Sequence, residues 1–285
     1  MGDDEKCRIV KAAHNNQINI LITYNAVYFW ISYSQQRNST KMSKKDYQDA
    51  FGHEMYDYYQ GKGGFEVIER DDGYIDISGG PEAYFTEPED WHPHEREAMK
   101  YAKGRVLDIG CGAGRHSLYL QDIGFEVQGI DLSPLAIEVC RLRGLKDPKV
   151  MSISQINTRL GKFDTIMMLG NNFGLFGGYK RAKSLLRKLH RITNKNARII
   201  AESNDLYETD NPFHLEYHDF NRKRGRMAGQ IRLRVRYKKY ISQWFDYLLV
   251  SKAEMEEILS NTGWEIEKYI DSEGSAYIAI IHRKG

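Results

Sequence analysis

The order of strands and helices along the chain predicts an α/β protein with a mostly parallel sheet. Between residues 105 and 202, short apolar runs of strand length alternate with helical segments, a pattern typical of a parallel sheet with helices on both faces. A glycine-rich turn at residues 110–114 separates the first strand from its helix. The last two apolar runs are joined by a short turn, so the final strand pair is predicted to be antiparallel.

The elements of this predicted core follow one another in a regular order. Ser133 and Pro134 supply an N-cap and a first helical residue for the second helix of the series. The predicted strands are 105–109, 126–131, 149–153, 163–169 and 198–202, followed by the closing pair 264–270 and 276–281. The predicted helices are 115–122, 133–143, 179–191 and 252–260.

Three segments are distinguished along the chain. Residues 1–41 are interpreted as an upstream extension of doubtful function, and the sequence from Met42 reads like an ordinary chain start. A packed N-terminal element is the alternative, because residues 20–30 are apolar enough to require burial. Residues 42–100 are predicted to form a cap with a helix, a hairpin and a second short helix. Residues 101–285 are predicted to form the core, with a β-rich lid inserted at 204–250.

The composition excludes several classes of protein. A hydrophobic share of 41% and a charged share of 28% are ordinary for a globular chain, so a fibrous or wholly disordered protein is excluded. No apolar run reaches the roughly 18 residues that a membrane span requires. The chain has 3 cysteines, too few and too scattered for a disulfide framework or a zinc site, so a cytoplasmic location is expected.

The positive charge of the chain is concentrated in one segment. Residues 221–239 contain nine Lys or Arg and no acid, and the rest of the chain has 32 basic against 39 acidic residues. Within 230–239, basic and apolar side chains alternate, which predicts a half-buried strand with a cationic face. A solvated face or a subunit contact, an anionic small substrate, and a nucleic-acid backbone are all open as explanations. RNA is less favoured, because no aromatic residues alternate with the charges on that face.

Two acids flank the glycine turn and narrow its chemistry. The spacing is Gly-x-Gly-x-Gly (Gly110, Gly112, Gly114), which differs from the Gly-x-Gly-x-x-Gly of dinucleotide enzymes. Asp108 lies two residues before the turn, where it would repel a pyrophosphate but would suit a cationic amino-acid ligand. Asp131 ends the next strand, where a carboxylate can accept hydrogen bonds from both hydroxyls of a ribose.

The combined pattern resembles the class I S-adenosylmethionine-dependent methyltransferases. Residues 106–114 match the first motif of that family, 127–134 its second, and 163–172 the strand end that faces the methyl group. The resemblance implies a Rossmann-like doubly wound sheet whose last strand is the one reversed member. It also implies S-adenosyl-L-methionine as the cofactor.

The resemblance assigns the following cofactor-binding residues. Asp108 would hold the methionine ammonium group, Asp131 the ribose diol, and Arg115 the methionine carboxylate, unless Arg115 is only a surface residue at a helix start. The usual acid for the adenine amino group is replaced by Ser154 or Gln155. The full set is Tyr84, Asp108, Gly110, Cys111, Gly112, Gly114, Arg115, Asp131, Leu132, Ser154, Gln155, Leu169, Gly170 and Asn171.

Residues on the acceptor side are less clearly indicated. Segment 170–174 lacks the proline pair of the Asn-Pro-Pro-aromatic signature, which argues against adenine or a glutamine amide as substrate. His214, Glu216 and His218 alternate, so on a strand they would share one face; a polar surface is favoured there over a metal site. No general base is identified. The candidates for the acceptor side are Asn172, His214, Tyr217 and Trp244.

The sequence thus predicts a methyltransferase that acts on an N or O atom of a small molecule, and the basic segment leaves an anionic acceptor open. The alternatives are an RNA or protein methyltransferase that uses the basic segment 221–239, and a non-catalytic module that binds S-adenosylmethionine. No metal and no membrane partner are predicted, and the oligomeric state is open.

Overall fold

A computed structural model describes residues 47–284 of the chain. The interpretations of residues 1–41 and of Met42 lie outside these residues. The helices are α1 (Ala50–Tyr59), α2 (Pro93–Met99), α3 (Arg115–Asp122), α4 (Pro134–Leu142), α5 (Tyr179–Arg191), α6 (Pro212–Lys223) and α7 (Lys252–Leu259). The strands are β1 (Val67–Arg70), β2 (Ile75–Ile77), β3 (Val106–Ile109), β4 (Val127–Asp131), β5 (Asp147–Val150), β6 (Phe163–Met168), β7 (Thr193–Asn204), β8 (Gln230–Tyr237), β9 (Tyr240–Ile241), β10 (Phe245–Leu248), β11 (Trp264–Asp271) and β12 (Ala276–Arg283).

Seven strands form the main sheet, in the order β11-β12-β7-β6-β3-β4-β5. The pairs of β3 with β4 and β6, of β4 with β5 and of β6 with β7 are parallel, whereas β12 is antiparallel to both β7 and β11. The predicted doubly wound sheet with a single reversed strand at the C-terminal end is therefore confirmed.

Two strands, β5 and β7, begin two or more residues before their predicted starts, and β5 also ends at Val150 and not at 153. β5 begins at Asp147 and not at 149, and Pro148 is tolerated because β5 is an edge strand, where a missing N–H costs no ladder bond. β7 begins at Thr193 and not at 198. The residues 194–196 that open β7 are exposed and polar, so they lack the apolar pattern from which the strand was predicted.

A second, antiparallel sheet joins the cap segment 42–100 to the segment inserted into the core at 204–250. Its strand order is β10-β8-β1-β2, and β9 pairs with β8. The hairpin of β1 and β2 confirms the hairpin predicted within residues 42–100, and β8 confirms the predicted strand in the basic segment. Strands from residues 42–100 and from 204–250 thus share one sheet.

The inserted segment contains a helix at residues 212–223, so the strand considered for residues 214–218 is not present. Asn211 caps α6 by accepting a hydrogen bond from the Phe213 N–H, and Pro212 occupies the first helical position, both typical helix-start signals. The arrangement expected for a strand, with His214, Glu216 and His218 on one face, is therefore wrong. In a helix, residues two apart point in different directions.

Apolar residues fill both faces of the main sheet. On one face, α5 and α7 contribute buried leucines and isoleucines such as Leu186 and Ile258. On the other face, Trp91, Met99 and Leu120 pack with Val106. No helix in the described part of the chain is long and apolar enough to cross a membrane.

Candidate active site

The glycine turn follows β3 at the carboxyl edge of the main sheet. Gly110, Gly112 and Gly114 have φ values of 76°, 55° and 84°, which side chains with a Cβ rarely adopt. A Cβ on Gly110 would lie 2.6 Å from the amide nitrogen of Asn172. A Cβ on Gly112 would lie 3.5 Å from the ring of Tyr84. The turn therefore has the side chains of Asn172 and Tyr84 close to it, and the role of Tyr84 toward a cofactor stays a prediction.

Asp131 is tied to the glycine turn by its carboxylate. Its Oδ2 accepts a hydrogen bond from the Gly112 N–H at 3.0 Å, and its Oδ1 accepts one from the Ser133 N–H at 2.9 Å. Burial raises the pKa of Asp131, and these backbone donors offset part of the effect. The carboxylate is thus held at the start of α4, where a ribose diol would reach it in the predicted arrangement.

Asp108 lies on β3 beside β4, opposite Gly129. It is buried and accepts a hydrogen bond from the Ser117 hydroxyl at 2.6 Å. Burial, reinforced by the nearby charge of Asp131, raises the pKa of Asp108 to about 7. The two predicted acids are therefore on neighbouring strands at the same edge of the sheet.

Arg115 is already paired within the chain. It donates to the Thr86 hydroxyl at 2.9 Å and to Glu95 at 2.5 Å. Burial alone would raise the pKa of Glu95, but the hydrogen bond with His116 and the charge of Arg115 lower it to about 2. The contacts of Arg115 thus join the start of α3 to α2, and its role toward a methionine carboxylate stays a prediction.

The segment after β6 is held in place by hydrogen bonds with polar side chains. Glu202, at the end of β7, accepts a hydrogen bond from the Gly170 N–H at 2.6 Å. Tyr247 on β10 donates to the carbonyl of Asn171 at 2.6 Å. Asn172 donates to the carbonyl of Gly110 at 2.9 Å. The amide of Asn172 therefore joins this segment to the glycine turn.

The remaining cofactor candidates fall into two groups. Leu132 is 72% exposed directly after Asp131, as an apolar surface for adenine would be. Ser154 and Gln155 lie in a short 3-10 helix after β5 and are exposed. By contrast, the side chains of Cys111 and Leu169 are buried, so only their backbones could contact a ligand.

Two of the acceptor-side candidates, His214 and Tyr217, lie in the contact between α6 and the second sheet, and Trp244 lies just before β10. Tyr217 donates a hydrogen bond to Asp71, His214 contacts the Tyr74 ring edge-on, and Trp244 stacks with Arg234. Within residues 47–284, no hydrogen bond, ion pair or ring contact joins these three to the glycine turn.

The basic segment is largely neutralised by acids of the same chain. Glu69 on β1 pairs with Arg234 and Arg236 of β8, Asp246 of β10 pairs with Arg226 and Arg232, and Asp57 of α1 pairs with Lys238. The cationic face predicted from the alternation exists, but it contacts acids of the cap and of β10. No cluster of metal-ligating side chains occurs in the part of the chain that the structure describes.

Sequence reasoning missed several residues around the glycine turn. Glu202 and Tyr247 come from strands far along the chain, and no local motif marks them. Glu54 could have been found, because it lies on the apolar stripe of α1 formed by Phe51, Met55 and Tyr58. A charged residue within such a stripe is predicted to be buried.

Comparisons with known proteins agree with this geometry. Residues 106–196 match the methyltransferase domain family. A crystal structure of a SAM-dependent methyltransferase from Bacteroides fragilis, in complex with S-adenosyl-L-homocysteine, is 27% identical with a TM-score of 0.72 and covers 84% of this chain and 96% of that one. The putative methyltransferase YqeM of Bacillus subtilis is 22% identical over 204 residues, or 63% of this chain and 83% of YqeM.

A shorter match is closer in sequence. The ubiquinone biosynthesis O-methyltransferase of Xanthomonas oryzae is 38% identical over 74 residues, which is 24% of this chain. The chain spans about a third, 31%, of the length of that curated relative. Together with the fold and the site, these similarities support a class I S-adenosylmethionine-dependent methyltransferase.

The residues present fit S-adenosylmethionine. Glycines at positive φ let the backbone turn tightly and approach a ligand closely, and a Cβ on Gly110 would meet the side chains of Asn172 and Leu175. Asp131 is the last residue of β4, and the exposed Leu132 directly follows it. This set of groups provides an acceptor for a ribose and an apolar surface for a base.

Proposed function

We propose that this protein transfers a methyl group from S-adenosylmethionine to an N or O atom of a small molecule. The observation that supports this proposal most strongly is the hydrogen bond that joins Asp131 to the Gly112 N–H. It unites the two predicted motifs in one site at the sheet edge. Asp131, Leu132 and the glycine turn would hold the cofactor, which supplies an electrophilic methyl group.

The residues above the turn would exclude water from the transfer. Met55 of α1 and the Tyr84 ring lie 3.7 Å and 3.5 Å from a Cβ built on Gly112. Tyr247 packs against Gly174, in the segment that follows β6. A desolvated site favours transfer to the acceptor over hydrolysis, and aromatic rings near a sulfonium attract its positive charge.

The ion pairs of the basic segment favour a small acceptor over RNA or an anionic substrate. Side chains already neutralised by Glu69, Asp246 and Asp57 have less charge to offer a phosphate.

The free thiols of Cys111 and Cys140 support the prediction of a reducing cytoplasmic location. The proposal includes both nitrogen and oxygen as acceptor atoms.

The test is transfer of labelled methyl from S-adenosylmethionine to the components of a metabolite extract. We expect a labelled small product with the wild type and strongly reduced labelling with Asp131→Ala. Product that requires RNA and disappears at high salt would support the RNA alternative. Cofactor binding without any S-adenosylhomocysteine formation would support the non-catalytic module.

A further inference from the structure

Two buried carboxyl groups face each other under the cap without a donor. Glu54 on α1 is 1% exposed, and Glu66, just before β1, is 2% exposed. Both oxygens of Glu54 and Oε2 of Glu66 have no hydrogen-bond donor among residues 47–284. Burial raises the pKa of Glu54 to about 9, and the neighbouring Glu66 adds to the rise.

The pair lies beside the proposed cofactor site. Glu54 directly precedes Met55, which approaches Gly112. The Tyr84 ring also approaches Gly112, and burial, then the charges of Glu66 and Glu54, raise the pKa of Tyr84, with a smaller contribution from Asp131. The Tyr84 side chain is therefore close to both the glycine turn and the acidic pair.

Other buried acids in this region have donors from the chain. Asp108 accepts from Ser117, Glu95 from Arg115, and Glu202 from the Gly170 N–H. Burying a carboxyl group without a donor costs stability. Packing alone does not explain Glu54 and Glu66, because glutamine or an apolar residue would fill the same space without that cost.

We propose that Glu54 and Glu66 bind the amino group of the methyl acceptor, so that the acceptor is a small amine that arrives as an ammonium ion. The inference rests on the proposed function and names its substrate class. An ammonium group offers three N–H donors and a positive charge, which matches two facing carboxyl groups. An anionic acceptor would be repelled by the same pair.

The pair also provides a destination for a proton. The ammonium nitrogen gives one proton to a carboxylate of the pair, and the freed lone pair then forms the N–C bond. The C–S bond breaks and its electrons return to sulfur, which becomes a neutral thioether. The product leaves as an N-methylammonium ion, and the proton on the carboxyl group passes to solvent.

The first test removes amines from the acceptor pool. One half of a metabolite extract is treated with acetic anhydride and then hydroxylamine, which leaves amines acetylated but frees hydroxyl groups. Both halves then receive wild-type protein and methyl-labelled S-adenosylmethionine. We expect the labelled product only in the untreated half, retained on a cation exchanger. A labelled product of equal yield in the acetylated half would overturn the inference while leaving the methyltransferase function intact.

The second test measures binding without turnover. The untreated extract is separated into cationic and non-cationic fractions, and each is added to the protein saturated with S-adenosylhomocysteine. We expect the cationic fraction to raise the Tm of the wild type, but not that of Glu54→Gln or Glu66→Gln. Stabilisation by the non-cationic fraction, or by neither fraction, would contradict the inference.

Two controls separate this inference from the proposed function. Glu54→Gln is expected to bind S-adenosylhomocysteine as the wild type does, since Asp131 is untouched. Glu265→Gln, which alters a carboxylate paired with Lys284 at the sheet edge, is expected to respond to the cationic fraction like the wild type. Loss of S-adenosylhomocysteine binding in the wild type itself would be a failure of the proposed function.

Discussion

Gly110 and Gly144 show how differently two glycines with positive φ serve the chain. Gly110 has a φ of 76° and faces Asn172 and Leu175, whereas Gly144 has a φ of 96° and nothing within 4 Å of a Cβ. Alanine at either position would be strained in the left-handed region of φ and ψ. Only at Gly110 would the new carbon also contact packed side chains. A comparison of the two alanine variants therefore distinguishes the effect of backbone strain from the effect of steric overlap at the site.

Gly110→Ala is expected to abolish measurable binding of S-adenosylhomocysteine and to cost more stability than Gly144→Ala. The left-handed conformation costs about 1–2 kcal/mol in either variant, and overpacking adds about 1–3 kcal/mol at Gly110. Urea unfolding and calorimetric titration measure the two effects. Equal stability of the two variants, with affinity retained in Gly110→Ala, would argue against a ligand site at this turn.

The acidic pair makes a distinct prediction about pH. The pKa of Glu54 rises from 4.5 to about 9 in the folded protein through burial and the neighbouring Glu66, with a smaller contribution from Glu82. The folded state then retains a proton that the unfolded state releases, so the stabilisation present below pH 4.5 is lost as pH rises toward 9.

We therefore expect the free energy of unfolding of the wild type to fall between pH 5 and 9, by at most about 1.4 kcal/mol per pH unit for one proton. Glu54→Gln should show a shallower fall and a higher stability at pH 9. Urea titrations across this range provide the measurement. Parallel curves for the two proteins would show that Glu54 ionises normally in the fold.

At the scale of elements, α1 connects the cap with the cofactor site. Its N-cap residue Asp49 accepts hydrogen bonds from the Gly52 N–H of α1 and from the Leu135 N–H of α4. Farther along the helix, Ala50 packs with Val235 and Tyr237 of β8. The position of α1 therefore depends on its contacts with α4 of the core and with β8 of the second sheet. No motif in α1 itself indicates a ligand site.

Asp49→Ala is expected to lower stability by about 1 kcal/mol, as loss of an N-cap usually does, and to weaken S-adenosylhomocysteine binding about two- to tenfold, because α1 loses its hydrogen bond to α4. Ser251→Ala removes the matching N-cap of α7, which accepts from the Glu254 N–H. That variant should lose similar stability and keep its affinity. Equal effects of the two variants on affinity would show that the position of α1 does not matter for the site.

Over the whole molecule, the parts fixed by local pattern were predictable and those fixed by distant contacts were not. The glycine turn, Asp131 and the main sheet follow from apolar periodicity and motif spacing in a continuous segment. The pairing of β1 with β8, for example Glu69 opposite Arg234, joins residues far apart in the chain, and no local signal specifies it. The same holds for Glu66 and Tyr247, whose places beside the site depend on that second sheet. The basic segment was read correctly as a strand, but its partners could be identified only once the acids of the cap were located in space.

The central claim is that the glycine turn and Asp131 together hold an adenosyl ligand. Calorimetric titration with S-adenosylhomocysteine of the wild type, Asp131→Ala and Arg234→Ala tests it most directly. We predict one site per chain in the wild type, an affinity at least about tenfold lower in Asp131→Ala, equivalent to about 1.4 kcal/mol, and little change in Arg234→Ala. Absence of binding to the wild type, or equal losses in the two variants, would contradict the account.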